Sequence, residues 1–402
     1  MAGEKPLPLE GLRVLDVATI LAGPVTATIL GDFGAEVIKV EMPGRGDTTR
    51  AGLGFGNGLS YSWLQEGRNK RSITLDLHKP EGQELFKRLV TKADAIVSNF
   101  RPGTLERWGL APGTLLDLNP RLVVVLISGY GQTGPYREKG AFDRTATAFG
   151  GGTFVTGFED GPPVRSGYAT TDYMTAYVGA FSAVTALYWR DVNGGQGQII
   201  DLALYEPVFR ASENAVPFYE HTGRVRGRSG NRNPGVVPAG NFLASDGHWV
   251  VLNANTDQLW RRLAAAIGRE DLLAKQYLAT ERGRIQNEQE VYKAVEDWVA
   301  SRTADEAIRA LDAAKIPAAR INSIAELFDE PQIAARENIV RVEDVRLGRS
   351  LAVPGIVPKF SHTPGRIKRL GPDLGEDNEA VYIDLLNLSS AELDDLRAKG
   401  VV

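Results

Sequence analysis

Chemistry is most concentrated where a single carboxylate interrupts a run of small and apolar residues. Gly161-Pro162-Pro163-Val164-Arg165-Ser166-Gly167 turns the chain into Thr170-Thr171-Asp172, and no further charge follows before Arg190. A run this apolar reads as a helix that is buried on nearly every side. An acid at its mouth is either a helix N-cap, a place where Asp is among the best residues, or a carboxylate held at the edge of a cavity. Both readings stand on these residues alone.

Three basic segments come next. Gly67-Arg68-Asn69-Lys70-Arg71-Ser72 places three cations ahead of a strand, which reads as a solvated loop or as a cradle for phosphates through charge-assisted bonds. Asn99-Phe100-Arg101-Pro102-Gly103 with Arg107, and Tyr136-Arg137-Glu138-Lys139, each follow a strand, where α/β sheets bind ligands. Each alone is weak; together they point to a polyanionic cofactor. Gly52-Leu53-Gly54-Phe55-Gly56-Asn57-Gly58 resembles a phosphate loop only by glycine count and lacks the strand-to-helix setting of a dinucleotide site. The chain has no cysteine, which excludes disulfides, thiol nucleophiles and thiolate-held metals. Its four histidines, His78, His221, His248 and His362, are scattered without ligand spacing, so no metal is expected.

The elements that must position these groups read as α/β. Residues 13–17 form a strand, 25–33 a helix ending at Gly34, and 36–41 a second strand: a β-α-β unit that starts a parallel sheet. Strands at 72–75, 95–97, 122–127 and 198–202 continue it, with a helix over 80–93 whose Leu85, Phe86, Leu89, Val90 and Ala93 share one face. The 402 residues exceed one simple core, and an Arg/Gly-rich stretch near 223–233 marks a crossing into a second domain. That domain has a strand at 248–252 and helices near 257–267, 287–301 and 303–314. Strands near 339–345 and 352–359 and two final helices follow, the last capped at Ser389 or Ser390 with Glu392 behind it. Hydrophobic residues make up 43% and charged residues 24%, with a net charge of −4 of mixed sign, so no nucleic-acid surface or polybasic membrane patch is indicated. There is no signal-like start and no membrane-length apolar run, which fits a cytoplasmic enzyme.

Taken together the residues resemble the class III CoA-transferases, the formyl-CoA transferase and carnitine CoA-transferase family. The resemblance rests on Leu9-Glu10-Gly11-Leu12-Arg13-Val14-Leu15-Asp16, Ala22-Gly23-Pro24, residues 30–41, Asn69-Lys70-Arg71-Ser72 and Asn99-Phe100-Arg101-Pro102-Gly103. It continues through Gly129-Tyr130-Gly131, residues 162–172, Gly195-Gln196-Gly197-Gln198 and Leu374-Gly375-Glu376. It implies a large Rossmann-like, CoA-binding domain of residues 1–222 and 333–402, a small domain of 223–332, and an interlaced homodimer. It makes Asp172 the nucleophile and implies CoA contacts from Ile20, Arg71, Asn99, Phe100, Arg107, and Arg137 or Lys139. The family's basic residue after the second strand is Met42 here, leaving Arg45 or Arg68 for the 3′-phosphate. The family's glutamine before Ala-Gly-Pro is Leu21, which argues against oxalate or formate.

The implied mechanism is attack of Asp172 on an acyl-CoA thioester, giving an anhydride, then an aspartyl-CoA thioester, then the reverse with an acceptor acid. Backbone N–H groups near Gly150–Gly152 or in the 228–240 loop are the expected oxyanion donors. A racemase of the α-methylacyl-CoA type shares the fold but needs a His–Asp pair where this chain has Phe142-Asp143. A non-catalytic CoA-binding or scaffold protein and a transferase for monocarboxylates are the other readings. Arg165, Arg224, Arg226, Arg228 and Arg232, with Asn231-Arg232-Asn233-Pro234, favour a dicarboxylate. The Ser229-Gly230-Asn231-Arg232-Asn233-Pro234 stretch also resembles the succinyl-CoA-dependent branch of the family, which implies succinyl-CoA as donor and malate, citramalate or glutarate as acceptor.

Overall fold

Six short strands, most of their residues apolar and withdrawn from solvent, run parallel in one sheet: β1 (Arg13–Asp16), β2 (Glu36–Glu41), β3 (Lys70–Thr74), β4 (Ala95–Ser98), β5 (Val123–Ser128) and β6 (Gln198–Ala203). Their order is β3-β2-β1-β4-β5-β6, so the direction of winding reverses between β1 and β4. Ligands of open α/β sheets enter at such a reversal, outside the carboxyl ends of the strands. The computed structural model describes residues 6–55, 59–233 and 235–402. Gly56-Asn57-Gly58 of the glycine-rich stretch, Pro234 of the second-domain loop, and the first five residues lie outside them.

Alternation along the strands divides the apolar side chains between two layers. Leu15, Ile38, Ile73 and Ile96 face one layer, with Phe86 and Leu89 of a helix and Tyr382 of the C-terminal segment. Val14, Val37, Val97 and Val125 face the other. Each such side chain contributes roughly 1.5–3 kcal/mol by leaving water. The helices between the strands are α1 (Ala22–Asp32), α2 (Tyr61–Glu66), α3 (Pro80–Val90), α4 (Thr104–Arg107), α5 (Pro112–Leu118), α6 (Asp143–Phe149) and α7 (Thr170–Val192). Gly34 follows α1 with φ of 108°, a conformation that glycine adopts without strain.

Two features of α7 differ from the sequence expectation. The helix starts at Thr170 with Ala169 as its N-cap, so Asp172 lies inside the first turn and is not the cap. Nor is the helix buried all round. Ala176, Gly179, Ala180 and Ala183 pack inward; a Cβ at Gly179 would come within 2.8 Å of Thr26 Oγ1 of α1. Tyr177, Phe181 and Tyr188 are 51%, 71% and 69% exposed. An apolar run lacks charge on both faces, and periodicity alone does not tell a buried face from an uncovered one.

The edge strand β3 is closed by the end of the chain. The N–H groups of Ser72 and Thr74 donate to Asp377 (2.9 Å) and Asn378 (2.8 Å), and the N–H of Asp76 donates to the carbonyl of Val401 (2.8 Å). Gly375, at φ of 70°, donates its N–H to Ser72 Oγ at 3.0 Å, which gives the Leu374-Gly375-Glu376 motif a structural task.

Residues Met1–Gly152, Ser166–Val216 and Ala335–Val402 form one compact unit; Thr153–Arg165 and Pro217–Ala334 form a second. The sequence expectation drew the second as 223–332. Residues 153–165 join it because the N–H of Gly230 donates to the carbonyl of Gly157 (2.9 Å) and Arg228 donates to that of Phe158 (3.2 Å). Inside this unit, β7 (Arg232–Asn233), β8 (Val236–Leu243), β9 (Trp249–Asn253) and β10 (Ala318–Arg320) form an antiparallel sheet with its own core around Trp260, Tyr292 and Val295.

Candidate active site

Amides at a helix N-terminus favour an anion. At α7 they are already taken. One carboxylate oxygen of Asp143, the first residue of α6, accepts from the N–H of Thr171 (2.9 Å) and of Asp172 (3.3 Å). Thr147, one turn further along α6, ties the two helices together: its Oγ1 lies 2.5 Å from that of Thr171 and 2.7 Å from the carbonyl oxygen of Asp143. Asp172 therefore meets a second negative charge where a helix would otherwise have offered it donors. Burial pushes its carboxyl up, the Asp143 charge adds to this, and it titrates at about 7. Among the described residues no cation pairs with Asp172. A half-buried, unpaired carboxylate poised near neutrality suits a nucleophile or a general base. Beside it Tyr173 donates to Glu66 at 2.8 Å; burial and the Glu66 charge raise the phenol, so it stays protonated.

A cavity of about 280 Å³ opens at the carboxyl ends of β1 to β4. The turn after β1 supplies Thr19 and Ile20, the loop after β2 supplies Met42, Arg45 and Asp47, and His78, Phe100 and Trp108 form an aromatic wall. Trp108 lies edge-on to both His78 (4.8 Å between centroids) and Phe100 (5.1 Å). Such a wall accepts a flat heterocycle, and Arg45, exposed and without an ion pair among the described residues, stands at it as a free cation. Neither Asp172 nor Asp143 lines this cavity.

Buried charges lie in its wall and behind it. Lys39 Nζ is 3.0 Å from Asp47 and 3.5 Å from Asp16 and also donates to the carbonyl of Ala18; Lys70 Nζ is 2.8 Å from Asp16 and 2.7 Å from the carbonyl of Pro24. Burial opposes the charge on Lys39, but Asp16, Asp47 and Glu41 outweigh it and hold that ammonium above its usual range. Above them Ile20 has φ of 70°. For a β-branched residue that is an outlier, at a cost of about 1–3 kcal/mol.

The residues singled out in the sequence part company here. Ile20, Arg45 and Phe100 meet at the cavity, with Asn99 alongside, although the Asn99 amide is committed to Thr19. The cluster read as a loop is structural. Arg68 forks onto Asp32 (3.0 and 2.6 Å), Lys70 is buried in β3, and Arg71 pairs with Glu36 (2.6 Å) and Asp377 (3.5 Å). Arg71 is the second residue of β3 and Glu36 the first of β2, so this pair sits at the amino ends of the strands, opposite the cavity. Arg107 donates to Thr104 (2.9 Å), Arg137 pairs with Glu138 (3.5 Å), and Lys139 lies 3.7 Å from the centre of the Tyr136 ring; none lines the cavity. Leu21 is the N-cap of α1 and is also absent from the lining.

Arg165, Asn231 and Arg232 belong to the second unit. Arg165 is exposed. Arg232 lies 4.2 Å over the Tyr292 ring and pairs with Glu296 (3.4 Å) and Glu288 (3.8 Å), and Asn231 accepts from Asn241 (3.3 Å). Both line a separate cavity of about 490 Å³ in that unit. The N–H groups of Gly150 and Gly151 donate to the carbonyls of Ala146 (2.8 Å) and Ala148 (3.2 Å), closing the end of α6, so they are not the free oxyanion donors expected.

Sequence reasoning missed Asp143 as the partner of Asp172, and His78, Trp108, Lys39 and Asp47 as parts of the cavity. Trp108 carried a signal, since it follows Arg107 after a strand end, and so did Asp143, which stands where the racemases have the acid of their His–Asp pair; His78, Lys39 and Asp47 did not.

The profile of CoA-transferase family III matches residues 9–378. The chain is 44% identical to the succinyl-CoA–L-malate CoA-transferase beta subunit of Chloroflexus aurantiacus, over 98% of each chain. It is 42% identical to the succinyl-CoA–D-citramalate CoA-transferase of the same organism, over 99% of this chain and 98% of that one. Among solved structures, a CAIB/BAIF family protein from Brucella suis superposes with a TM-score of 0.83 at 32% identity, covering 95% of this chain and all of the other.

Proposed function

The chain belongs to CoA-transferase family III and is an enzyme of the transferase class; on that premise we propose that it moves CoA from succinyl-CoA to a dicarboxylic acid, with Asp172 as the carrier. The observation that carries the proposal is the unpaired Asp172 carboxyl beside Asp143, titrating at about 7. It is ionised enough to attack at neutral pH and basic enough to be a competent nucleophile.

The steps balance without a net proton. An Asp172 oxygen bonds to the thioester carbonyl carbon, the C–S bond breaks, and CoA leaves as thiolate with the electron pair. The thiolate then attacks the aspartyl carbonyl of the mixed anhydride and succinate departs as its carboxylate, leaving aspartyl-CoA. The acceptor carboxylate displaces the thiolate again to form a second anhydride. Thiolate attack on the acceptor's carbonyl releases the new acyl-CoA and returns Asp172 as carboxylate.

We place the nucleotide end of CoA in the cavity at the carboxyl ends of the strands, with its ring against His78, Phe100 and Trp108 and Arg45 on a phosphate. The dicarboxylate preference draws on the substrates named for the malate and citramalate relatives. We also propose that the enzyme works as an interlaced dimer, the uncovered aromatic face of α7 being the surface that needs a partner. That partner is a second copy of this chain or a homologous subunit, since the malate relative is itself named as a beta subunit.

The test is transfer from succinyl-CoA to a panel of C4 to C6 diacids and matched monoacids, with Asp172→Ala as control. Transfer to diacids that vanishes in the variant, with hydroxylamine converting the activated Asp172 carboxyl of the parent enzyme to a hydroxamate found on its peptide, is the expected result. Activity that survives in Asp172→Ala defeats the mechanism, and transfer confined to monoacids defeats the substrate class.

A further inference from the structure

Ile20 stands at the lip of the cavity in a backbone conformation that it does not adopt unaided, at φ of 70°. Such an outlier persists only where its surroundings over-determine it. Two side chains do so here. The Asp47 carboxylate accepts the N–H of Ile20 itself, at 3.2 and 3.3 Å from its two oxygens. On the other side of the reversal in strand order, the Asn99 amide accepts from the N–H of Thr19 (2.8 Å) and donates to its carbonyl (2.6 Å). Together they clamp the turn that carries Ile20.

Asp47 is itself held from several sides. It accepts from Lys39, from the N–H of Thr49 (2.9 Å) and from the hydroxyl of Thr49 (2.8 Å), while its own N–H donates to Glu41 (2.8 Å). Glu41 is gripped by Arg50 (2.7 and 2.8 Å) and Ser72 (2.6 Å). Lys39 has a charge of the right sign for a phosphate and lies in the cavity wall, yet it is only 1% exposed and divides its charge between Asp47 and Asp16. That charge is used inside the protein.

We propose that Asp47 and Asn99 are positioning residues that hold Ile20 in the left-handed conformation, with Lys39 behind Asp47, so that the clamped turn sets the fit of the CoA nucleotide end. This rests on the reading of the cavity as the CoA site.

The experiment measures CoA binding by calorimetry and kcat and KM with succinyl-CoA. Asp47→Ala raises the CoA Kd about tenfold, or about 1.4 kcal/mol, with kcat within twofold. Asp47→Asn keeps an acceptor for the Ile20 N–H and stays within threefold. In an Ile20→Gly background, where glycine takes φ of 70° freely, Asp47→Ala changes Kd by less than threefold. Asn99→Ala, at a half-buried position, gives the same loss and the same suppression, and carries the test if Asp47→Ala does not fold. Equal losses in both backgrounds overturn the proposal. Arg45→Ala separates the two levels. If it weakens CoA while Asp47→Ala and Asn99→Ala do not, the cavity reading stands and the positioning role is wrong. If Arg45→Ala and Ile20→Gly both leave CoA binding unchanged, the cavity reading itself has failed.

Discussion

The carboxylate of Asp143 accepts the backbone N–H of Asp172 at 3.3 Å, so the group that caps α7 also faces the acid on its first turn. Asp143→Asn keeps an acceptor for the cap and removes the charge. We predict that the acid limb of the kcat/KM profile moves to lower pH in this variant. The move is partial, because burial is the larger cause of the raised Asp172 carboxyl. A profile unchanged from the parent enzyme counts against the electrostatic coupling.

For the parent enzyme, kcat/KM falls tenfold per pH unit below about 7, as Asp172 takes up its proton. A stopped-flow series at saturating acceptor between pH 5 and 8.5 measures this. A flat profile down to pH 5 rules out Asp172 as the group that must be ionised.

The same shift has a stability consequence of definite sign. A carboxyl raised in the fold contributes stability that is fully present below its unfolded value near 3.8 and is lost as pH rises through about 7. At pH 8 the ionised Asp172 is therefore a burden. Asp172→Asn should abolish transfer and stabilise the fold at pH 8 by roughly 2–4 kcal/mol. The gain should vanish near pH 4 in denaturant titrations.

Arg45 and Arg71 differ in kind. Arg45→Ala should raise the KM for succinyl-CoA about tenfold at low ionic strength, with the effect shrinking in high salt. Arg71→Ala should change it less than twofold, because Arg71 is spent on Glu36 and Asp377 at the far ends of the strands. Steady-state kinetics on the pair decides it.

The exposed face of α7 makes a physical prediction about assembly. Phe181→Asp and Tyr188→Asp place charges among side chains 71% and 69% exposed in the single chain. Light scattering should show the parent as a dimer and the double variant as a monomer with native circular dichroism.

The fold was legible where residues speak for themselves. Val123–Ser128 is an apolar run because a central parallel strand is covered on both faces, and Gly34 marks the end of α1 because few other residues turn there. The site was legible in part. Asp172 stood out by isolation, but its cap comes from a residue 29 positions earlier. The partners of the cations were hidden for the same reason: Arg68 finds Asp32, Lys70 finds Asp16 and Arg71 finds Glu36, all 35 to 54 positions away. Charge is visible in a sequence, whereas the counter-charge that consumes it is a property of the sheet.

The closure of β3 by Asp377, Asn378 and Val401 bears on how the protein is made. On the ribosome the edge of the sheet emerges some three hundred residues before the segment that covers it. Through that interval the free N–H groups of Ser72 and Thr74 present an open β edge, the kind of surface that recruits other strands. The nascent chain therefore carries this open edge until Asp377, Asn378 and Val401 have been made and can cover it.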